Sequence, residues 1–146
     1  MRDRIASKEL SPSAANAIRM LLLTGARLNE VLTAKWQWMN TEGCLIEFPA
    51  RKTGARPIFL SSAALSVLKV QKAYAESSEF ILPGNGSKGR MVNLRKPWTR
   101  ICERSGLQNV RLHDLRHTAA SVAVSPQFYR LLIGAVTRRS GKPARM

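Results

Sequence analysis

The sequence is organised around the stretch Arg111-Leu112-His113-Asp114-Leu115-Arg116-His117-Thr118. The spacing predicts a helix that begins near Leu112, whose leucines face the core while His113, Arg116 and His117 share the opposite face. A guanidinium with two neighbouring imidazoles supplies planar and adjacent hydrogen-bond donors, which suit a pair of phosphate oxygens. A solvated basic face would be the better interpretation of this motif in isolation, but further basic motifs accompany it.

The charge of the chain indicates a polyanionic partner. Its 146 residues include 24 lysines and arginines against 9 aspartates and glutamates, so the net charge is +15 and the pI is about 11.3. Nucleic acid is the simplest partner of this kind. A membrane surface is the weaker alternative, because no basic amphipathic segment adjoins a long apolar run. We expect a cytoplasmic protein, because no run could cross a bilayer and the N-terminus lacks the order of a signal peptide.

The sequence predicts neither a metal site nor a bound cofactor. Cys44 and Cys102 lie in apolar contexts without the spacing of metal ligands, so we expect buried free thiols. The glycines of the loop at residues 84–90 match no phosphate-cradling fingerprint.

Another basic motif, the first in chain order, follows the first predicted helix. Ser11-Pro12 has the pattern of a helix start, and Gly25 ends that helix. The next helix begins at Arg27, where a guanidinium can point at an anion near the backbone N–H groups of the helix N-terminus. The alternative is that Arg27 pairs with Glu30, one turn further on.

The middle of the chain predicts a β-hairpin. Residues 44–48 and 56–60 have the pattern of strands, and residues 52–55 that of the turn between them. A lysine at a hairpin tip is usually only solvated, but Arg51 and Lys52, together with the arginine that opens the second strand, could reach a backbone phosphate.

Two further helices complete the predicted elements. One runs from Ser61 or Ser62 to about Tyr74, and the other from Leu94 to Ser105. Their predicted inward residues are Leu65, Leu68 and Val70 in the first and Trp98, Ile101 and Cys102 in the second.

In order and context, these motifs resemble the catalytic domain of tyrosine recombinases of the phage integrase family. The similarity runs from about Ser11 to Val124 and comprises Thr24-Gly25-x-Arg27-x-x-Glu30-Val31-Leu32, a lysine in a β-hairpin turn, and His113-x-Leu115-Arg116-His117-Thr118. It implies an α+β, mainly helical domain with a small antiparallel sheet, its hairpin around residues 44–60. It also implies a bacterial or phage-derived, nucleoid-associated enzyme that breaks and rejoins double-stranded DNA at specific sites without metal or nucleotide, together with other recombinase protomers.

The resemblance also assigns roles. Arg27 and Arg116 would clamp the non-bridging oxygens of the scissile phosphate, as preorganised donors stabilise charge that develops in a transition state. Lys52 would protonate the leaving 5′ oxygen, with His113 as its acid/base partner. Two supporting residues, Glu30 and His117, and two DNA-binding residues, Arg51 and Arg56, complete the predicted site.

The nucleophile is where the sequence departs from the family. These recombinases continue from the His-x-x-Arg helix to a Leu-Gly-His or Leu-Gly-Trp segment and then to a tyrosine, and this chain has neither segment. The only downstream tyrosine, Tyr129, comes too early and lies in an apolar run typical of packing, which makes it a weak candidate. Tyr74 precedes the His-x-x-Arg stretch and is a worse one. The nucleophile is therefore unknown.

The predicted organisation is a polar segment at residues 1–10, a single incomplete catalytic domain at 11–136 and a basic, disordered tail at 137–146. We expect an inactive integrase remnant of a prophage or other mobile element, with its reading frame lost after Val124. Two alternatives remain open. One is a non-catalytic DNA-binding module or partner of a full-length recombinase, whose tyrosine could act in trans. The other is a basic globular domain, such as an RNA-associated protein, whose motifs are coincidental.

Overall fold

A computed structural model describes residues 10–49 and 56–116 of the chain, and the fold is α+β. Within these two ranges, four helices and three short strands follow one another in the order α1 (Pro12–Thr24), α2 (Leu28–Thr33), β1 (Met39–Asn40), β2 (Leu45–Ile46), β3 (Ile58–Phe59), α3 (Ser62–Ala75) and α4 (Arg95–Ser105). A 3₁₀ turn at Trp36–Trp38 separates α2 from β1. The predicted tail, the last two residues of the central histidine motif (His117 and Thr118) and the hairpin turn lie outside the described residues.

Helix α1 forms the centre of the fold. The side chain of Ser11 accepts a hydrogen bond from the backbone N–H of Ala14, and Pro12 occupies the first helical position, as the sequence predicted. Gly25 ends the helix in the left-handed conformation, with φ 68° and ψ 12°. The helix packs against α2, α3 and α4. Its buried residues occupy almost every face: Ala14, Ala15, Asn16, Ala17, Ile18, Met20, Leu21 and Leu22.

The three strands form one antiparallel sheet in the order β1-β2-β3, which confirms the predicted hairpin. Ile46 pairs with Ile58, and both are buried on the inner face. Leu45 pairs with Phe59, so these two residues lie on the outer face. The sequence analysis missed β1, because a strand of two residues is too short to show an alternating pattern.

A buried polar network joins α1 to α3. The side-chain amide of Asn16 donates to Gln71 Oε1 at 2.8 Å. The amide nitrogen of Gln71 in turn donates to the hydroxyl of Ser13 at 3.0 Å and to the carbonyl of Ile81 at 2.8 Å. Arg19 Nη1 donates to Asn16 Oδ1 at 2.7 Å. Since these groups satisfy one another, the network fixes the relative position of the two helices without an unpaired buried polar atom.

Helix α3 corrects one predicted inward residue. Leu68 is buried and Leu65 packs at the edge of the core, but Val70 is 53% exposed. The buried positions of α3, namely Ala64, Leu68, Gln71 and Ala75, follow the helical period of three and four residues, and Val70 falls outside that stripe.

Helix α4 confirms most of its predicted pattern. Trp98 and Ile101 are buried, and Gly106 ends the helix with φ 69°. The indole N–H of Trp98 donates to the carbonyl of Val110 at 2.9 Å, which fixes the segment that leads to Arg111. Among the helices of residues 10–49 and 56–116, none is long and apolar enough to cross a membrane.

The cysteines are free, as predicted, but half-buried rather than buried. Partial burial, and secondarily the carboxylate of Glu103, raise the pKa of the Cys102 thiol above its ordinary value. Cys44 lies in the turn before β2 with φ 53°. Within the described part of the chain, no group of three or more His, Cys, Asp or Glu residues could hold a metal ion.

We predict that Gln71→Leu lowers the free energy of unfolding by about 1–3 kcal/mol, because it leaves the amide of Asn16 and the carbonyl of Ile81 without their partner. Urea denaturation followed by circular dichroism measures the loss. Gln37→Leu makes the same chemical change at an exposed position of the 3₁₀ turn and serves as the control. An equal effect of the two substitutions would contradict a stabilising network.

Candidate functional site

The first basic motif begins with a turn that is held by the side chain of Thr24. Its hydroxyl donates to the carbonyl of Met20 at 2.6 Å and accepts from the backbone N–H of Ala26 at 3.2 Å. The left-handed conformation of Gly25 lies between these two contacts, and a non-glycine residue there would cost about 1–2 kcal/mol. The motif therefore turns the chain sharply from the end of α1 to the start of α2.

Glu30 fixes the start of α2 through the backbone. Its Oε1 accepts a hydrogen bond from the backbone N–H of Arg27 at 3.0 Å. This contact is the reciprocal half of a capping box. No ion pair joins the Arg27 guanidinium to Glu30 in the described structure. Glu30 therefore contacts the backbone of Arg27, and not its side chain as the alternative interpretation of the sequence had it. The arginine side chain is left to contact other groups.

The second motif begins with a similar cap. The backbone N–H of Arg111 donates to Asp114 Oδ2 at 2.8 Å, and a helical turn begins at Asp114, two residues later than predicted. Leu115 is fully buried and Leu112 packs against the core, so the leucines anchor the turn as expected. The backbone N–H of Arg116 donates to the carbonyl of His113 at 3.2 Å.

A side-chain hydrogen bond joins the two motifs. Arg116 Nε donates to the carbonyl oxygen of Gly25 at 3.1 Å, across 91 positions of sequence. Gly25 ends α1, and its carbonyl is therefore not taken up by a helical hydrogen bond. Arg116 is also one of the residues that line the cleft between the motifs.

An open cleft of about 470 Å³ lies where the motifs meet. Its walls come from the turn after α1, the start of α2, strand β3 with the residues before it, and the end of the second motif. The lining residues are Thr24, Gly25, Ala26, Arg27, Glu30, Arg56, Pro57, Ile58, Phe59 and Arg116. Three guanidiniums against one carboxylate give the cleft a net positive charge, and a guanidinium keeps its charge at physiological pH. The cleft is suited to an anion that can accept several hydrogen bonds.

The structure brings four predicted site residues together and separates one from them. Arg27, Glu30, Arg56 and Arg116 line the cleft. His113 is exposed, one turn before Arg116, and is not among the described residues that line it. Four others lie outside the described residues: Arg51, Lys52, His117 and Tyr129.

Thr24 and Phe59 are among the cleft residues that had no predicted role in the site. Thr24 belongs to the first motif, but its function as the brace of the turn depends on contacts that the sequence does not display. Phe59 lies in the predicted strand, and the alternation of strand side chains is the signal that could have identified it. Since Ile58 is buried, its neighbour Phe59 must face outward.

The comparison with known proteins agrees with the fold and with the paired motifs. The chain matches the model of the Phage integrase family over residues 3–125, and it belongs to that family. Over 71 residues it is 37% identical to "Prophage integrase IntZ" of Escherichia coli (strain K12). That match covers 47% of this chain and 18% of the relative, so the chain spans only a small part of that protein's length. No solved structure matches the chain significantly.

We predict that Thr24→Val lowers the free energy of unfolding by about 1–2 kcal/mol, because the backbone N–H of Ala26 loses its acceptor. Thr33→Val is the matched control: Thr33 Oγ1 also donates to the carbonyl four residues earlier, at 2.6 Å, but accepts from no backbone N–H in the described structure. Chemical denaturation of both variants measures the difference. A loss for Thr33→Val as large as that for Thr24→Val would contradict the bracing role.

Proposed function

We propose that the chain binds a backbone phosphate of double-stranded DNA in this cleft, as the phosphate-binding part of a site-specific DNA recombinase. One observation carries the proposal: the hydrogen bond from Arg116 to Gly25 puts the arginines of both motifs at the same cleft. The net charge of +15 supports a polyanionic partner. Membership of the phage integrase family supports DNA as that partner and recombination as the process.

The arginines explain how a phosphate would be held and activated. With Nε occupied by a carbonyl, Arg116 offers its Nη groups, and Arg27 offers a second guanidinium. Two such donors can bind both non-bridging oxygens of a phosphodiester. When an oxygen nucleophile attacks the phosphorus, negative charge builds on these oxygens, and fixed donors stabilise it without reorganisation. Arg56 adds a third positive charge for the neighbouring backbone.

The proposal also includes the residues that transfer protons during the reaction. Lys52 precedes Arg56, a residue of the cleft, by only four positions in the sequence, and this proximity supports Lys52 as the donor that protonates the leaving 5′ oxygen. His113 lies one helical turn before Arg116, and we propose that it exchanges a proton with the reacting groups once DNA is bound. His117 would support them.

We propose that the chain does not cleave DNA by itself. Covalent strand exchange needs a hydroxyl nucleophile, and the two tyrosines of the chain are Tyr74 and Tyr129. Tyr74 lies on α3 and is not among the described residues of the cleft. Tyr129 does not stand in the family's position relative to Arg116. The chain would bind DNA on the nucleoid and act together with another recombinase protomer that supplies the tyrosine.

We predict that Arg27→Ala weakens DNA binding about tenfold or more at low salt and reduces the slope of log K against log salt by about 1, because one phosphate contact is lost. Arg116→Lys should also weaken binding, although the charge is kept, because an ammonium cannot make the bidentate contact. Fluorescence anisotropy of a labelled duplex over a salt series measures both quantities.

Lys69→Ala is the control for this experiment. Lys69 is exposed on α3 and is not among the described residues that line the cleft. Its replacement by alanine changes the net charge by the same amount as Arg27→Ala but leaves the cleft intact. If both variants bind DNA equally well, the cleft has no special role in binding. Binding that is insensitive to salt would also contradict phosphate recognition.

We predict that the chain alone forms no covalent adduct with DNA. Incubation with nicked duplexes of random sequence, followed by a denaturing gel, tests for a phosphotyrosyl link, with a full-length family member on its own site as the positive control. An adduct that disappears in Tyr129→Phe would contradict the prediction and make Tyr129 the nucleophile.

A further inference from the structure

Phe59 is an exposed aromatic residue in the wall of a basic cleft. It is 70% exposed, the highest fraction among the large hydrophobic residues of the described chain. Single exposed hydrophobic residues are common on protein surfaces and need no explanation. Phe59 differs from the other three, Val70, Tyr74 and Val92, because it alone of the four lines the cleft with the arginines.

The sheet holds Phe59 in this position. Strand β3 pairs with β2, so that Ile58 turns into the core and Phe59 lies opposite Leu45 on the outer face. The next residue, Leu60, is buried and donates its backbone N–H to the carbonyl of Cys44 at 2.8 Å. The backbone on both sides of Phe59 is therefore fixed, and the ring is presented on a rigid support.

The charge around Phe59 determines which partner fits it. Three guanidiniums in the same cleft disfavour a cationic or purely apolar partner and favour a polyanion. Among polyanions, nucleic acids also carry a flat aromatic group beside each phosphate, and proteins that bind strands combine basic grooves with aromatic platforms. A cleft lined by Arg27, Arg116 and the exposed ring of Phe59 has both components.

We propose that Phe59 stacks on a DNA base next to the phosphate held by Arg27 and Arg116, and that it favours a base that has left the duplex stack. This inference rests on the proposed phosphate-binding function. An unstacked base exposes its face, whereas a base inside a regular duplex is covered on both faces by its neighbours. The cleft would therefore recognise DNA that is locally opened, in addition to the phosphate backbone.

The test compares binding of the full chain to two labelled DNAs of the same length, a fully paired duplex and a duplex with a short unpaired bubble. Phe59→Ala should weaken binding to the bubble DNA about 5- to 150-fold, the range expected for loss of one base–aromatic contact. Binding to the paired duplex should change less. The salt slope should stay as in the unaltered chain, because a neutral ring releases no counterions.

Three further variants make the result specific. Phe59→Trp should keep the preference for bubble DNA, and Phe59→Leu should lose it, because leucine is apolar but has no aromatic face. Val92→Ala, which removes an exposed apolar side chain outside the cleft, should bind both DNAs like the unaltered chain. If Phe59→Leu retains the preference or Phe59→Ala binds normally, the stacking proposal is wrong.

The same experiment separates this proposal from the one on which it rests. If Arg27→Ala weakens binding and lowers the salt slope while every Phe59 variant binds normally, phosphate recognition stands and base stacking is excluded. If Arg27→Ala and Phe59→Ala both bind normally, the phosphate-binding function fails as well.

Discussion

The hydrogen bond between Arg116 Nε and the carbonyl of Gly25 is the contact on which the site depends. It joins two segments that are 91 positions apart, and within the described residues it is the direct hydrogen bond between the two basic motifs. The bond forms because α1 ends at Gly25, where the left-handed backbone turns a carbonyl out of the helix. A charged donor to such an acceptor contributes about 1.5–3 kcal/mol. The carbonyl at the end of α1 thereby fixes the position of Arg116.

The rest of the fold keeps that helix end in a defined place. Helix α1 is buried on nearly all sides. The side-chain amides of Asn16 and Gln71 join it to α3 by a hydrogen bond that forms in only one relative position of the two helices. Buried polar contacts of this kind specify one arrangement, because a shifted helix would leave the amides unpaired at a cost of about 1–3 kcal/mol each. The position of Gly25 therefore follows from packing far from the cleft.

The sequence predicted the parts of this structure that depend on neighbours in the chain. The cap at Ser11, the helix end at Gly25 and the antiparallel pairing of the two hairpin strands follow from local chemistry. Contacts between distant segments could not be predicted in this way. The bond from Arg116 to Gly25 has no local signal.

Within the site, the sequence identified side chains better than their contacts. The alternative that the Arg27 guanidinium pairs with Glu30 is not what the structure shows, because the Glu30 carboxylate accepts from the backbone N–H of Arg27. An amide N–H competes successfully because it lies three residues away at a fixed helix start, whereas a long arginine side chain loses entropy when it is held. Val70 was expected in the core because it is apolar, but it falls outside the spacing of three and four residues that the buried positions of α3 follow.

Arg116 combines two requirements that a lysine could not meet together. A guanidinium has five N–H donors in a fixed plane, so that Nε can bind a backbone carbonyl while both Nη groups face an anion. An ammonium has three N–H donors, but they diverge from one nitrogen on a flexible stem, so a lysine bonded to Gly25 could not also offer a coplanar pair of donors. Because the same side chain holds the motifs together and faces the cleft, an anion bound there adds its binding free energy to the folded arrangement. Without a ligand, the hydrogen bond to the carbonyl of Gly25 holds Arg116 at the cleft.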